Sequence, residues 1–155
     1  MNKIQKILAP TDLSELSCLG LRYAMGAARE HGAEVIVYLV VPIGEDWFPS
    51  SEGMKPARDY TAREKVQLDK FLHEKFAPEL NELKIRQTVE VGAAQSNIID
   101  IAEREGVDLI VMATHGRTGL NHVLLGSVTE KVVARAPCPI VVVPRQKGAT
   151  AAHAV

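Results

Sequence analysis

The sequence has little cysteine, few aromatic residues and no long apolar run. Its two cysteines, Cys18 and Cys138, lie far apart and outside any Cys-x-x-Cys or Cys/His spacing, so neither a disulfide framework nor a zinc site is indicated. No stretch approaches the roughly 18 consecutive apolar residues of a membrane-spanning helix. The segment from Met1 to Pro10 has two lysines and a short apolar stretch, without the apolar region and cleavage site of a signal peptide. We therefore expect a cytoplasmic protein with no membrane partner.

An excess of one charge sign is also absent. The 155 residues include 18 Lys and Arg against 19 Asp and Glu, for a net charge of −1. Without a basic field there is no general electrostatic reason to expect binding to nucleic acid. The composition is 46% hydrophobic and 24% charged, which is ordinary for one globular domain. We expect that domain over residues 1–145, followed by a flexible tail over 146–155.

Apolar periodicity predicts five strands that alternate with four helices. The strands are expected at 4–9, 35–41, 83–91, 107–112 and 140–143, and the helices at 13–31, 57–76, 96–105 and 127–135. This alternation is typical of an α/β fold with an open, doubly wound, Rossmann-like parallel sheet covered by helices on both faces. In the common orders the first strand is central, beside the third or the fourth. The long segment 42–56 is either a lid or a disordered insertion.

Ligands of such sheets bind beyond the carboxyl ends of the central strands. Two segments lie there, Pro10-Thr11-Asp12 after the first strand and Ala113 to Ser127 after the fourth. Asp12 also has a structural explanation, because Asp12-x-x-Glu15 is a plausible helix-capping pair. From the residues alone, capping is favoured over ligand binding.

The second segment is rich in glycine and ends at a predicted helix. Gly116 follows the strand, where a missing Cβ lets the backbone approach a ligand. Ser127 to Glu130 matches a capping box, and the start of the helix behind it offers backbone N–H groups and the positive end of a dipole to an anion. Arg117 is the nearest cation. Plain turn glycines and an ordinary helix cap explain the same pattern about equally well, and the segment matches neither a P-loop nor G-x-G-x-x-G.

Three motifs resemble the universal stress protein family. The glycine segment is similar to its nucleotide-binding signature G-x2-G-x9-G-[ST], with Ala113 in place of the first glycine, then Gly116, Gly126 and Ser127. The segment 6–12 looks like the family's first strand and turn, and 138–144 like its last strand. The resemblance covers roughly residues 2–144 and implies the strand order 3-2-1-4-5.

The resemblance implies an ATP site and a homodimer. Asp12 would contact the ribose or adenosine end, and the main chain around Val40 the adenine. The ribose and first phosphates would be lined by Ala113, His115, Gly116 and Arg117, and the outer phosphates by Gly126, Ser127, Val128 and Thr129. Mg²⁺ or Mn²⁺ would be held by the phosphates, with no protein ligands. The last strand, Ile140, Val141, Val142 and Val143, would form the dimer contact. The implied nucleotide-binding residues are Ala9, Pro10, Thr11, Asp12, Val40, Met112, Ala113, His115, Gly116, Arg117, Gly126, Ser127, Val128 and Thr129.

Three functions stay open from the sequence. The first is an ATP-binding, homodimeric stress-response protein with at most slow hydrolysis, since Arg117 and His115 are the groups near the phosphates that could assist catalysis. The second is a dimerising interaction module in which Ala113 prevents ATP binding. The third is an adenylyl-transferring or ATP-hydrolysing enzyme. That enzyme would be expected to carry a Ser-Gly-Gly loop after the first strand, where this chain has Pro10-Thr11-Asp12.

Overall fold

Strands and helices alternate along the chain, as the periodicity predicts. The computed structural model describes residues 2–43, 57–115 and 125–145. Its elements are β1 (Lys6–Thr11), α1 (Ser17–His31), β2 (Glu34–Pro42), α2 (Ala57–Glu82), β3 (Ile85–Gly92), α3 (Ala94–Glu105), β4 (Leu109–Ala113), α4 (Ser127–Arg135) and β5 (Ile140–Val143). The predicted tail 146–155 and nearly all of the predicted lid or insertion lie outside the described residues.

The strands form one parallel sheet in the order β3-β2-β1-β4-β5. This confirms the predicted fold class, the central place of β1 and the edge position of β3. β1 pairs with β2 from Lys6 opposite Glu34 to Thr11 opposite Leu39, and with β4 at Ile7 and Leu8. The winding direction therefore reverses between β1 and β4, where open α/β sheets bind ligands.

Each face of the sheet has its own apolar core. Alternate residues of β1 show the division, because Ile7 and Ala9 pack with α1 and α2, whereas Leu8 packs with α3 and α4. All three side chains are fully buried. Burial on both faces explains why the central strands read as continuous apolar runs in the sequence.

The helix boundaries depart from the prediction at α1. This helix begins at Ser17, because residues 12–16 form a turn in which Leu13 has the left-handed φ of 65°. The residue before the helix is Leu16, and the N–H of Ser17 donates to the Ser14 side-chain oxygen at 3.2 Å. The predicted capping role of Asp12 is therefore wrong. The helix ends at Gly32 in the left-handed conformation, as predicted.

The other helices differ at their ends. α2 is broken at a non-helical Phe76 (φ −138°, ψ 31°), the residue at which the prediction ends the helix, and a second helical segment then runs through Pro78 to Glu82. α3 begins at Ala94, upstream of the predicted caps Ser96 and Asn97.

α4 has the predicted bounds, but its cap residue lies one position before the predicted cap Ser127. Gly126 is the cap residue of this helix, and no described side chain bonds to its first turn, so the predicted capping box of Ser127 and Glu130 is wrong. Among the described residues, no helix is long and apolar enough to span a bilayer.

Candidate functional site

A cavity of about 260 Å³ opens where β1, β2 and β4 end, between the first turns of α3 and α4. Most of the residues predicted to bind a nucleotide line it. These are Pro10, Thr11, Asp12, Val40, Met112, Ala113, His115, Gly126, Ser127, Val128 and Thr129.

One described residue of the predicted set is not among its lining. Ala9 is fully buried in the core beside α1 and is absent from the lining, so its inclusion is corrected. Gly116 and Arg117 lie outside the described residues.

Four lining residues were missed by the sequence analysis, namely Ser17, Tyr38, Ala94 and Ile98. Strand alternation could have found Tyr38, because it lies two positions before Val40 and therefore on the same face of β2. Ser17 was placed inside a longer helix. Its approach to the cavity depends on the turn that precedes α1.

The start of α4 provides backbone donors. In an α-helix the first N–H groups have no partner within the helix, and here these belong to Ser127, Val128 and Thr129, which all line the cavity. The first turn receives no capping bond from a described side chain. The donors and the positive end of the helix dipole therefore favour an anion at this wall.

Hydrogen bonds hold the start of α4 close to the end of β4. The backbone N–H of Gly126 donates to the carbonyl of Thr114 at 2.7 Å, and the Thr129 hydroxyl donates to the carbonyl of Ala113 at 3.0 Å. A Cβ on Gly126 would lie 3.2 Å from the Thr114 oxygen and 3.5 Å from the Cα of His115. Glycine thus lets the two segments approach closely.

The His115 ring has one nitrogen without a hydrogen-bond partner among the described residues. Its Nδ1 lies 3.1 Å from the Thr114 hydroxyl, whereas its Nε2 is buried without a hydrogen-bond partner among the described residues. Buried polar atoms normally have partners, so an unsatisfied nitrogen in the wall of a cavity marks a place for a ligand atom.

The opposite wall carries an acidic turn. The Asp12 carboxylate accepts the N–H of Ser14 at 3.0 Å, and the Thr11 and Ser17 hydroxyls lie 2.8 Å apart. Both hydroxyl residues are buried. This wall can accept hydrogen bonds from ligand hydroxyl groups.

The remaining wall is mainly apolar and rigid. Pro10, Val40, Ile98 and Met112 provide its apolar surface. Behind them the hydroxyl of Tyr38 donates to a Glu90 carboxylate oxygen at 2.6 Å, and Arg104 binds the other oxygen of that carboxylate. Burial and the neighbouring Glu90 carboxylate raise the pKa of Tyr38 well above its ordinary value of 10, so the phenol stays protonated and keeps this bond.

Other chemistry finds little support in the described part of the chain. There, no group of three or more His, Cys, Asp and Glu side chains could hold a metal ion. Both cysteines lie away from the described cavity lining, and burial raises the pKa of the Cys18 and Cys138 thiols, which disfavours the reactive thiolate.

Comparison with known proteins decides the family. The sequence profile described as Universal stress protein family matches residues 3–144. This chain belongs to the universal stress protein family. It is 36% identical to universal stress protein MJ0531 of Methanocaldococcus jannaschii, over 94% of this chain and 85% of that protein.

Solved structures of universal stress proteins share the fold. Universal stress protein MJ0577 of the same organism is 34% identical in sequence, and its structure superposes with a TM-score of 0.70 over 94% of this chain and 99% of that chain. A universal stress protein crystallised in complex with cAMP has a TM-score of 0.68 at 23% identity, over 92% of this chain and 98% of that chain. The family and fold expected from the three motifs are confirmed.

Proposed function

We propose that this universal stress protein binds ATP in the cavity at the carboxyl ends of β1, β2 and β4. The observation that carries the proposal is the juxtaposition, in one cavity, of an uncapped helix start and an apolar slot. The helix start suits a chain of phosphates, and the slot suits a purine base. A nucleotide has these two parts at its opposite ends.

The polar residues between the two ends fit the middle of the nucleotide. A carboxylate just beyond a strand end can accept hydrogen bonds from ribose hydroxyls, and Asp12 occupies that position. The buried Nε2 of His115 offers a further contact to the ribose or first phosphate. A divalent cation would be held by phosphate oxygens and water, in keeping with the preference of Mg²⁺ and Mn²⁺ for oxygen ligands.

We propose binding with at most slow hydrolysis, as a cytoplasmic, nucleotide-dependent regulator of a stress response. Fast phosphoryl transfer needs cations that neutralise charge on the transferred phosphate. The described lining of the cavity contains no lysine or arginine. His115 is the side chain there that could orient a water molecule.

The first test is direct binding. Nucleotide that copurifies would be released and identified by mass spectrometry, and the stripped protein titrated with ATP, ADP, AMP and adenosine in Mg²⁺. We expect ATP to bind tightest and adenosine weakest. Tripolyphosphate serves as the control anion. ATP binding no tighter than tripolyphosphate would refute the proposal and favour a dimerising module that holds no nucleotide.

A pair of variants at Gly126 separates charge from size. Gly126→Asp places a carboxylate at the phosphate end, and Gly126→Asn places a neutral side chain of the same shape there. Both residues are good helix caps, and the extended backbone of Gly126 (φ −68°, ψ 160°) suits either. The Cβ that both add would lie 3.2 Å from the Thr114 oxygen, so the two variants share the same steric cost. Because only the charge differs, we expect ATP to bind at least about tenfold more weakly to the Asp variant than to the Asn variant. Adenosine should bind both equally.

We also propose that the protein is a homodimer joined through β5. This strand lies at the edge of the sheet, and all four of its residues are only half-buried in one chain. An apolar edge strand is a ready template for pairing with another chain. In sedimentation velocity at micromolar concentration we expect a dimer for the wild type and a monomer for Val142→Lys. Val133→Lys, on an exposed residue of α4, should remain dimeric.

A further inference from the structure

We infer that Thr11 and Ser17 are positioning residues that fix the Asp12 carboxylate for the hydroxyl groups of the nucleotide's ribose. The inference rests on the proposed nucleotide site. It concerns the turn between β1 and α1, in which the buried hydroxyls of Thr11 and Ser17 take part in three hydrogen bonds.

The proton positions in this turn follow from the hydrogen-bond partners. The Ser17 hydroxyl donates to the carbonyl of Ser14 at 2.7 Å. Since Ser17 has a single hydroxyl proton, Thr11 must be the donor in the 2.8 Å contact between the two hydroxyls. The Thr11 oxygen in turn accepts the N–H of Leu13 at 3.0 Å. One continuous chain of hydrogen bonds therefore runs from Leu13 through both hydroxyls to Ser14.

These hydrogen bonds stabilise a backbone conformation at Leu13 that leucine rarely adopts. Leu13 has φ 65°, in the left-handed region that a residue with a Cβ rarely adopts. Its N–H is tied to Thr11, and its side chain packs against the core on the α1 side. A strained backbone conformation persists where neighbouring contacts fix it, and such residues cluster at ligand sites.

The same turn determines where the Asp12 carboxylate lies. Asp12 stands between Thr11 and the strained Leu13, and its Oδ1 accepts the N–H of Ser14 at 3.0 Å. Ser14 is also the residue to which Ser17 binds, through its carbonyl and its side-chain oxygen. The Thr11 hydroxyl thus fixes Leu13, which follows Asp12 in the chain, and the Ser17 hydroxyl fixes Ser14, whose N–H binds the Asp12 carboxylate.

The chemistry of the turn selects the part of the ligand that it can face. Thr11 and Ser17 line the cavity, yet each donates its proton within the turn, so neither is available as a donor to the ligand. An ionised carboxylate accepts hydrogen bonds and repels phosphate. The ligand group opposite Asp12 is therefore a hydrogen-bond donor and not a phosphate oxygen. In a nucleotide with its base at the apolar wall and its phosphates at the start of α4, the donors between the two ends are the vicinal ribose hydroxyls. Fixing the acceptor beforehand lowers the cost of ordering it on binding.

The experiment compares ATP with its 2′-deoxy and 3′-deoxy analogues by calorimetric titration. A hydrogen bond to a charged group is strong, so we expect the wild type to prefer ATP over at least one analogue by about tenfold or more. In Ser17→Ala we expect that preference to fall below about threefold, with affinity for the deoxy analogue unchanged within about twofold. Asp12→Ala gives the baseline without the carboxylate.

Two variants at Thr11 protect the test against misfolding. Thr11→Val removes the hydroxyl at nearly constant volume and should act like Ser17→Ala, whereas Thr11→Ser keeps the hydroxyl and should retain the preference. Equal weakening of ATP and the deoxy analogues would show a purely structural role and overturn the inference, as would an unchanged preference in Ser17→Ala and Thr11→Val. If the wild type binds no ATP, the proposed function fails with it. If the wild type binds ATP and its analogues equally, the inference alone fails.

Discussion

The two ends of the β-sheet differ in whether their polar groups have hydrogen-bond partners within the described protein. At the amino ends of the strands, charged groups find partners within the protein. Arg86 donates to Glu34 at 2.8 Å and to both oxygens of Glu105 at 3.1 and 2.9 Å. Asp108 accepts the N–H groups of Lys6, the first residue of β1, and of Gln5 just before it. At the carboxyl ends, the α4 start and His115 leave polar groups unsatisfied by the described protein, and Leu13 is strained.

The difference shows why a count of charges says little about the function of this chain. The charged side chains at the amino ends stabilise the fold, and none of them is among the described lining of the cavity. The proposed anion site uses backbone N–H groups and a helix terminus, which leave no trace in the composition. The neutral balance of charge therefore argues against extended nucleic acid as a partner but not against a small phosphate ligand.

The strongest test of this comparison is overpacking at the carboxyl end. A Cβ on Gly20 would lie 3.0 Å from the backbone nitrogen of Ala113 and 3.2 Å from backbone atoms of Met112. We expect Gly20→Ala to cost about 2 kcal/mol, because α1 must move away from β4. ATP affinity should fall as well, since Ala113 and Met112 line the cavity. Chemical denaturation and titration measure the two effects.

Gly26 provides the matched control in the same helix. A Cβ there meets nothing within 4 Å. Gly26→Ala should raise stability by roughly 0.5 to 1 kcal/mol, through the lower entropy of the unfolded chain, and leave binding unchanged. If Gly20→Ala were as harmless as Gly26→Ala, the close contact between α1 and β4 would be disproved.

The second test breaks the charge cluster at the amino end. Burial alone would raise the pKa of Glu34, but the hydrogen bond and charge of Arg86 outweigh it and hold that pKa below its ordinary value of 4.5. The hydrogen bond from Arg86 likewise lowers the pKa of Glu105. Allowing for solvent screening, Arg86→Met should cost about 1 to 2 kcal/mol at pH 7.

The pH dependence of this cost has a definite sign. Because both folded-state pKa values are lowered, the unfolded chain takes up protons first, and the stabilisation present above pH 4.5 disappears as the pH falls through the lower folded-state values. The stability curves of wild type and Arg86→Met should therefore converge in acid, with ATP affinity at neutral pH alike within about twofold. Stability curves that stay parallel in acid would exclude Glu34 and Glu105 as the source of the stability difference. A large loss of ATP affinity in Arg86→Met would show that the amino end of the sheet also contributes to the cavity.

Most of the fold could be predicted from the sequence because each central strand is buried on both faces and reads as an uninterrupted apolar run. The start of α1 could not. Leu13 and Leu16 continue the helical spacing in the sequence. In the structure Leu13 has a left-handed φ and belongs to the turn after β1, so the helix begins only at Ser17. The break at Phe76 agrees with the predicted helix end, but the helical segment that follows to Glu82 is not revealed, because proline is also tolerated in the first turn of a helix.

The site was predictable where a residue follows a strand directly. Asp12 and His115 are such residues, and both line the cavity. The capping residue at α4 was misplaced by one position, because the bond from the Gly126 N–H to Thr114 is a tertiary contact. Ser17 was missed for the same reason, since its partner Thr11 is brought close by a turn that the spacing does not reveal.

The smallest expected loss of stability comes from Tyr38. Its hydroxyl is near the carboxyl end of the sheet and yet has a protein partner, so it tests the comparison from the other side. Tyr38→Phe removes its bond to Glu90, while Arg104 still binds that carboxylate, so we expect a loss of about 1 kcal/mol. Since the folded-state pKa is raised above 10, this stabilisation is complete below pH 10 and declines at higher pH. While both proteins stay folded, alkaline absorbance titrations of wild type and variant should coincide. An extra phenolate in the wild type near pH 10 would mean that Tyr38 is open to solvent and that the cavity wall is not rigid there.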